Sequence, residues 1–361
     1  MDKLKLYQSE NLDALRNEGD PLADAAVLDL YSNPAFAERI NTFTKMPTRD
    51  ELVEFPASVQ KYFQSFTVQV DFLELGKIKL AQEYFDQNGQ YYLSMLGFYS
   101  LPYCYAFADG AQVLVRSKRI TDEIGKRLSE TALFLLDCFR PGSFISDERA
   151  LLSIAKVRLI HAFSRFFIQK YTQDWTKEWG IPINQEDMLG TNLAFSLLVM
   201  RGMEKLRKFP GKEVLEAVLH YWKVIGYHMG IDVEFWPENA KEAFELEKLI
   251  RRRHLKESDA GKLLTRSLLR FYQSEIPDTN LADLAETMVA FFVGKEAAEA
   301  LDLKEKVTLP KDAFRFLLKF NFWKEGNAKV NYGKIRREFL SQQRVKFGHE
   351  IALSVPTLKR S

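Results

Sequence analysis

The sequence predicts an all-α protein, and three observations support this fold class. Helix-start signals recur: Asp20 and Asn33 each precede a proline, and Thr48 lies three residues before Glu51, which is the spacing of a capping box. Apolar residues recur at helical spacing, for example within 263–269. Strand signals are weak and do not alternate with helical segments, which disfavours a doubly wound sheet.

Taken in chain order, these signals place helices over most of the chain. An acidic segment that begins at Ser146 suits the positive end of a helix running to about Tyr171, and Ser258 begins another. The segment Val113–Val115 has a strand-like composition, and we interpret it as one short extended piece. Further helices are expected over 71–86, 118–139, 187–208, 212–229, 238–254, 280–301 and 332–346.

Charge and composition exclude several classes of protein. The 51 Lys and Arg residues nearly balance the 49 Asp and Glu residues, so there is no electrostatic signature of a nucleic-acid partner. We interpret the basic run at 251–253 as a solvated helix end. The two cysteines lack the spacing of a zinc site or a disulfide framework. The longest apolar segment, near 193–200, is too short to span a membrane, and the N-terminus lacks an apolar leader. We therefore expect a cytoplasmic protein without a membrane span.

Common catalytic signatures are absent from the sequence, including the phosphate-binding glycine motifs, GxSxG and HExxH. The five histidines form no HxxxH or HxxH pair, so nothing indicates a non-haem site with several histidines. One histidine can still hold a metal when a porphyrin supplies the other four ligands.

His161 is the candidate for such a ligand. It lies in the middle of a predicted helix among bulky apolar residues such as Phe163 and Phe166. Arg158 and Arg165 recur with it at helical spacing, and these two cations are able to pair either with haem propionates or with carboxylates. The alternative is a histidine on a polar helix face or satisfied within the core.

Two further segments are candidates for the site. Arg127, Glu130 and Thr131 share one helix face just before an apolar run, a pattern that suits either a polar-lined pocket or a surface ion pair. After a loop, Asn184 is suited to cap a helix. Thr191 follows two turns later, where its hydroxyl is able to donate toward a buried ligand.

Taken together and in this order, these segments resemble the rubber oxygenase catalytic domain family, which includes the latex clearing proteins and MpaB-type oxygenases. The similarity covers roughly 95–240, and the helical flanks 1–94 and 241–361 match only in character. We expect one domain over 1–361. The matching motifs are Arg127-Leu128-x-x-Thr131, Arg158-x-x-His161-Ala162-x-x-Arg165, Gly180-x-Pro182-Ile183-Asn184-Gln185-Glu186-Asp187 with Gly190-Thr191, and Tyr221-Trp222-x-x-x-Gly226-Tyr227-x-x-Gly230.

The resemblance implies a globin-like core around haem b, with His161 as the proximal iron ligand. It places Arg127 and Thr131 on the distal side and Arg158 beside the ligand helix, and it makes Thr191 part of the family motif. Latex clearing proteins carry a lysine where this chain has Glu130, and they carry a secretion signal. Both departures argue against a polymer substrate.

The expected function is haem-dependent oxidative cleavage or oxygenation, by O₂, of a small apolar unsaturated molecule of terpenoid or lipid type. Arg127 would stabilise negative charge that develops on oxygen, and Glu130 would remove an allylic proton. Two other classes stay open at this point: a non-catalytic haem carrier or sensor, and a helical ligand-binding protein.

Overall fold

The computed structural model describes residues 3–68, 70–116, 123–275, 279–304 and 331–357. All the regular secondary structure in these ranges is helical. Two isolated β-bridges join Phe107 to Leu255 and Ser143 to Asp147. The all-α prediction is therefore confirmed. Within the same ranges, no helix is both long enough and apolar enough to cross a bilayer.

Five α-helices lie within the described residues 3–68, besides short 3₁₀ helices at Lys3–Lys5 and Ser65–Thr67, and their caps agree largely with the sequence. Asp20 accepts a hydrogen bond from the backbone nitrogen of Ala23, and Thr48 and Glu51 form the complete capping box. Asn33 precedes its helix without a side-chain cap bond. The helices are α1 (Ser9–Leu15), α2 (Pro21–Ser32), α3 (Pro34–Thr42), α4 (Arg49–Leu52) and α5 (Ala57–Gln64).

The next five helices begin the central part of the fold. The first continues through a π-helical turn at Leu96–Ser100, because Pro102 has no N–H to continue the α-helical bonding pattern. The expected helix over 118–139 is described only from residue 123 onward, because 117–122 lie outside the described ranges. The helices are α6 (Leu75–Met95), α7 (Leu101–Tyr105), α8 (Ala108–Arg116), α9 (Ile124–Cys138) and α10 (Arg149–Tyr171).

The prediction of an extended piece at Val113–Val115 is wrong, since these residues end α8. Ala108 and Ala111 are buried one helical turn apart, and this face packs on a later helix. Burial of a helical face outweighs the weak strand preference of two valines, because β-propensity depends strongly on context.

The remaining helices complete the core. A second π-helical turn, at Ala194–Leu198, interrupts the expected helix over 187–208, and Gly294, with φ of 84°, divides the expected helix over 280–301. The helices are α11 (Gln185–Leu193), α12 (Val199–Lys205), α13 (Lys212–His228), α14 (Ala240–His254), α15 (Asp259–Glu275), α16 (Thr279–Val293), α17 (Lys295–Ala300) and α18 (Tyr332–Phe347).

The two π-helical turns pack against each other at the centre of the fold. The Ser100 hydroxyl donates to the carbonyl oxygen of Ala194 at 2.6 Å, and the Tyr92 hydroxyl donates to that of Phe195 at 2.6 Å. These hydroxyls satisfy carbonyl groups of the second turn. Around this centre α6 packs along α13, while α10 contacts α2, α9 and α13, so that α10 runs through the core.

Candidate active site

A cavity of about 320 Å³ lies between α9, α10, α11 and the ends of several neighbouring helices. It is lined by His161 from α10, by Arg127, Glu130 and Thr131 from α9, and by Thr191 from α11. Five of the seven predicted site residues thus lie at one cavity. The surrounding walls are mainly apolar and include Leu101, Phe134, Val157, Phe195, Trp222 and Ile225.

His161 presents a neutral imidazole at this cavity. Burial, together with the positive charges of Arg165 and Arg127, lowers the pKa of His161 to about 4, against an opposing effect of Asp20. The Nδ1 atom is buried without a hydrogen-bond partner among the described residues. A neutral ring is the form of histidine that ligates metals.

The α9 residues lie on one helix face, as their spacing predicts. Thr131 lines the cavity, and its hydroxyl donates to the carbonyl oxygen of Arg127, one turn earlier, at 3.0 Å. The charge of Arg127 also lowers the pKa of His161, which places this guanidinium within electrostatic reach of the imidazole. The cavity therefore has a cation and a carboxylate, that of Glu130, on its α9 side.

Thr191 lines the cavity from α11. Its hydroxyl donates to the carbonyl oxygen of Asp187, one turn earlier on the same helix, at 2.8 Å. The expected donation toward a ligand would therefore require this hydroxyl to rotate, because a threonine has a single O–H donor.

Arg158 and Arg165 point away from the cavity and do not line it. Arg158 forms a bidentate ion pair with Asp20, at 2.5 and 2.8 Å, and Arg165 pairs with Asp24 at 2.8 Å. In the structure both cations pair with carboxylates at the start of α2, those of Asp20 and Asp24, and they thereby join α10 to α2. Binding of the cofactor by these two arginines stays a prediction.

One end of the cavity is polar, and sequence reasoning did not identify it. Glu186 and Asp187 from the start of α11 and His254 from the end of α14 line this end. The helix-capping role expected for Asn184 is confirmed, since its side chain accepts from the backbone nitrogen of Asp187 at 2.9 Å. Glu186 and Asp187 suit the first turn of a helix, so the sequence contains no separate reason to place them at a cavity.

Cations hold this polar end together. Arg253 donates to Glu186 at 2.7 Å and pairs with Asp13 at 2.6 Å, so the interpretation of the run at 251–253 as a solvated helix end is wrong for Arg253. Burial alone would raise the pKa of Glu186, but hydrogen bonds from His254 and Arg253 outweigh burial and lower it. Burial likewise tends to lower the pKa of His254, and its bonds to Asp109 and Glu186 raise it instead.

Comparisons with known proteins agree with this architecture. A family model described as "ER-bound oxygenase mpaB/B'/Rubber oxygenase, catalytic domain" matches residues 105–322. A rubber oxygenase from Streptomyces sp. (strain K30) is 22% identical over 300 residues, which cover 81% of this chain and 72% of that relative. The solved structure of the latex clearing protein LCP in its closed state has a TM-score of 0.70 at 19% identity, and the alignment covers 94% of each chain. At that identity, the structural likeness shows a shared fold.

Proposed function

The chain belongs to the family of mpaB/B′-type oxygenases and rubber oxygenases, an oxidoreductase family, and from this premise we propose that it is a haem b-dependent oxygenase of small apolar unsaturated molecules. The reaction would be oxidative cleavage or oxygenation of a terpenoid-like or lipid-like substrate by O₂.

The observation that carries this proposal is the state of His161. Its ring is neutral, its buried Nδ1 atom has no hydrogen-bond partner in the described part of the chain, and it lines a cavity within hydrophobic walls. Histidine ligates metals in its neutral form, so His161 is in the state in which it would hold the haem iron. The residues at this cavity therefore fit the cofactor.

Haem, when bound, would supply the iron that activates O₂. The chain's own residues would control polarity and protons around the reacting atoms. The Arg127 guanidinium, at the α9 side of the cavity, would stabilise negative charge that develops on oxygen. A carboxylate oxygen of Glu130 would take a proton from an allylic carbon of the substrate, and Thr131 would shape the cavity beside it.

The walls of the cavity favour an apolar substrate. Phe134, Phe195 and Trp222 provide aromatic surface for an unsaturated hydrocarbon body. These features support a terpenoid-like or lipid-like molecule.

The proposal is tested by absorption spectroscopy of the full chain purified with haem supplied. We expect a Soret band in the wild type, its loss or sharp decrease in His161→Ala, and its recovery when imidazole is added to His161→Gly. His349→Ala is the matched control, because His349 is exposed and does not line the cavity. A wild-type protein without a Soret band, or an unchanged spectrum in His161→Ala, would overturn the assignment.

Activity is tested separately, by incubating the haem-loaded protein with ¹⁸O₂ and a panel of unsaturated terpenoids and lipids. Mass spectrometry should detect products that carry the label. Glu130→Gln should reduce the rate by about 10²-fold or more if the carboxylate acts as the base, while the Soret band stays in place. An unchanged rate in Glu130→Gln would remove Glu130 from the mechanism.

A further inference from the structure

The polar end of the cavity differs from the remaining walls in both charge and hydrogen-bonding capacity. Three ionisable side chains line it: Glu186, Asp187 and His254. The side chains of Glu186 and His254 are buried, with exposed fractions of 0% and 9%. The Asp187 side chain is 20% exposed, so it is the carboxylate of this group that an incoming molecule would meet.

The hydrogen bonds of the two carboxylates show the same difference. Glu186 is bonded on both oxygens: Oε1 accepts from Arg253 at 2.7 Å and Oε2 lies 2.9 Å from the Nε2 atom of His254. Asp187 accepts from the Asn184 amide at 2.9 Å through Oδ2. Among the described residues, its Oδ1 has only Arg16 as a partner, at 3.4 Å. Charge-assisted bonds normally measure about 2.7–2.9 Å, so Oδ1 retains acceptor capacity.

Arg16 cannot satisfy this oxygen better, because its guanidinium is shared. It lies 3.4 Å from each of Asp109, Glu186 and Asp187, and it donates to the Trp179 carbonyl oxygen at 2.5 Å. One cation thus serves three carboxylates at long range. Burial accordingly raises the pKa of Asp187 to about 6, against the opposing charges of Arg16 and His254.

A purely hydrocarbon ligand would cover this oxygen and give it no new bond. Leaving a buried acceptor unsatisfied costs free energy, and the cost is larger for a charged group. A ligand that carries an O–H group would instead donate to Oδ1. A ligand carboxylate would be repelled by Asp187 and Glu186, which line the same end.

We propose that the Asp187 carboxylate anchors a hydroxyl group at one end of the substrate, whose apolar unsaturated body lies along the aromatic walls. The substrate class is therefore an unsaturated long-chain or terpenoid alcohol and not a plain hydrocarbon or a fatty acid. Arg16 acts as a positioning residue for the anchor. This inference rests on the proposed function for the identity of the cavity as the substrate site.

Calorimetric titration of the full haem-loaded chain with three ligands of one carbon skeleton tests the proposal: farnesene, farnesol and farnesoic acid. We expect farnesol to bind at least about tenfold more tightly than the other two, which is the effect of one added charge-assisted bond. In Asp187→Asn the preference for farnesol over farnesene should shrink to within about threefold. The matched control is Asp71→Asn, because Asp71 is exposed and does not line the cavity; this variant should keep the wild-type preference.

Three results would overturn the proposal that Asp187 anchors a hydroxyl group. They are equal wild-type affinities for farnesol and farnesene, tightest binding of farnesoic acid, and no binding of any of the three ligands. The wild-type series decides these outcomes even if Asp187→Asn does not fold. The titration does not use catalysis, and it can be repeated on the haem-free chain. A protein that lacks a Soret band but still prefers farnesol would refute the proposed function and keep the anchor.

Discussion

The ion pair between Arg158 and Asp20 allows a quantitative test of how α10 is held. The two guanidinium contacts measure 2.5 and 2.8 Å, and the side chains are only 10% and 5% exposed. Asp20→Asn removes the charge but keeps an oxygen that is able to cap α2, where Asp20 now accepts from the Ala23 nitrogen. The variant therefore isolates the effect of the lost charge.

Removing one partner of a buried ion pair leaves the other charge uncompensated, at a cost of about 3–5 kcal/mol. We expect Asp20→Asn to lower the free energy of unfolding by about 3 kcal/mol, because the amide still accepts one bond from Arg158. Asp20→Ala should cost about 1 kcal/mol more, through loss of the cap. Urea unfolding of the cofactor-free proteins measures both values.

Glu216→Gln is the control, because its partner Lys212 is 81% exposed and 3.7 Å away. That change should alter stability by less than about 0.5 kcal/mol. If Asp20→Asn were as stable as the wild type, the ion pair would not hold α10. If Arg158→Met lowered haem affinity without lowering the stability of the cofactor-free chain, the prediction that Arg158 binds the cofactor would be supported instead.

Three further predictions concern pH and local packing. Burial lowers the pKa values of His161 and His228 to about 4, so in the cofactor-free protein each contributes stability that is fully present above pH about 6.5 and is lost toward pH 4. Urea unfolding at pH 7.5 and pH 4.5 gives the loss of unfolding free energy on acidification. This loss should be smaller in His228→Phe than in the wild type, by up to about 3 kcal/mol. Gly261→Ala should destabilise the protein by about 2 kcal/mol, because the new Cβ would lie 2.5 Å from a backbone oxygen. Its control is Gly76→Ala, which has open space around it and should be neutral or stabilising. Thermal melts measure both. Asn184→Ala should cost about 1–2 kcal/mol in urea unfolding, since the cap of α11 is lost; no change would show that the cap is dispensable.

Much of the helical framework and part of the site follow from local sequence patterns. Arg127, Glu130 and Thr131 share a face because residues three and four apart are neighbours on a helix. The capping box at Thr48 depends on two residues within one turn, and it too is predictable.

The parts that local patterns miss depend on contacts between distant segments. Arg158 and Asp20 are separated by 138 positions, and Arg16 lies 170 positions from Glu186. Helical spacing identifies which residues share a face, but it does not identify the partner that the face meets. The contact between Arg158 and Asp20 therefore could not be predicted from helical spacing.

These distant pairs also bear on which fragments of the protein are worth expressing. A segment cut to the limits of the family match, 105–322, would omit Asp20 and Asp24 at the start of α2 and would also lack Arg16. Both α10 arginines and the polar end of the cavity would then lose counter-charges supplied by the first helices. We propose that residues 1–361 form a single domain. Removal of residues 1–33, which precede α3, should therefore yield insoluble or unfolded protein.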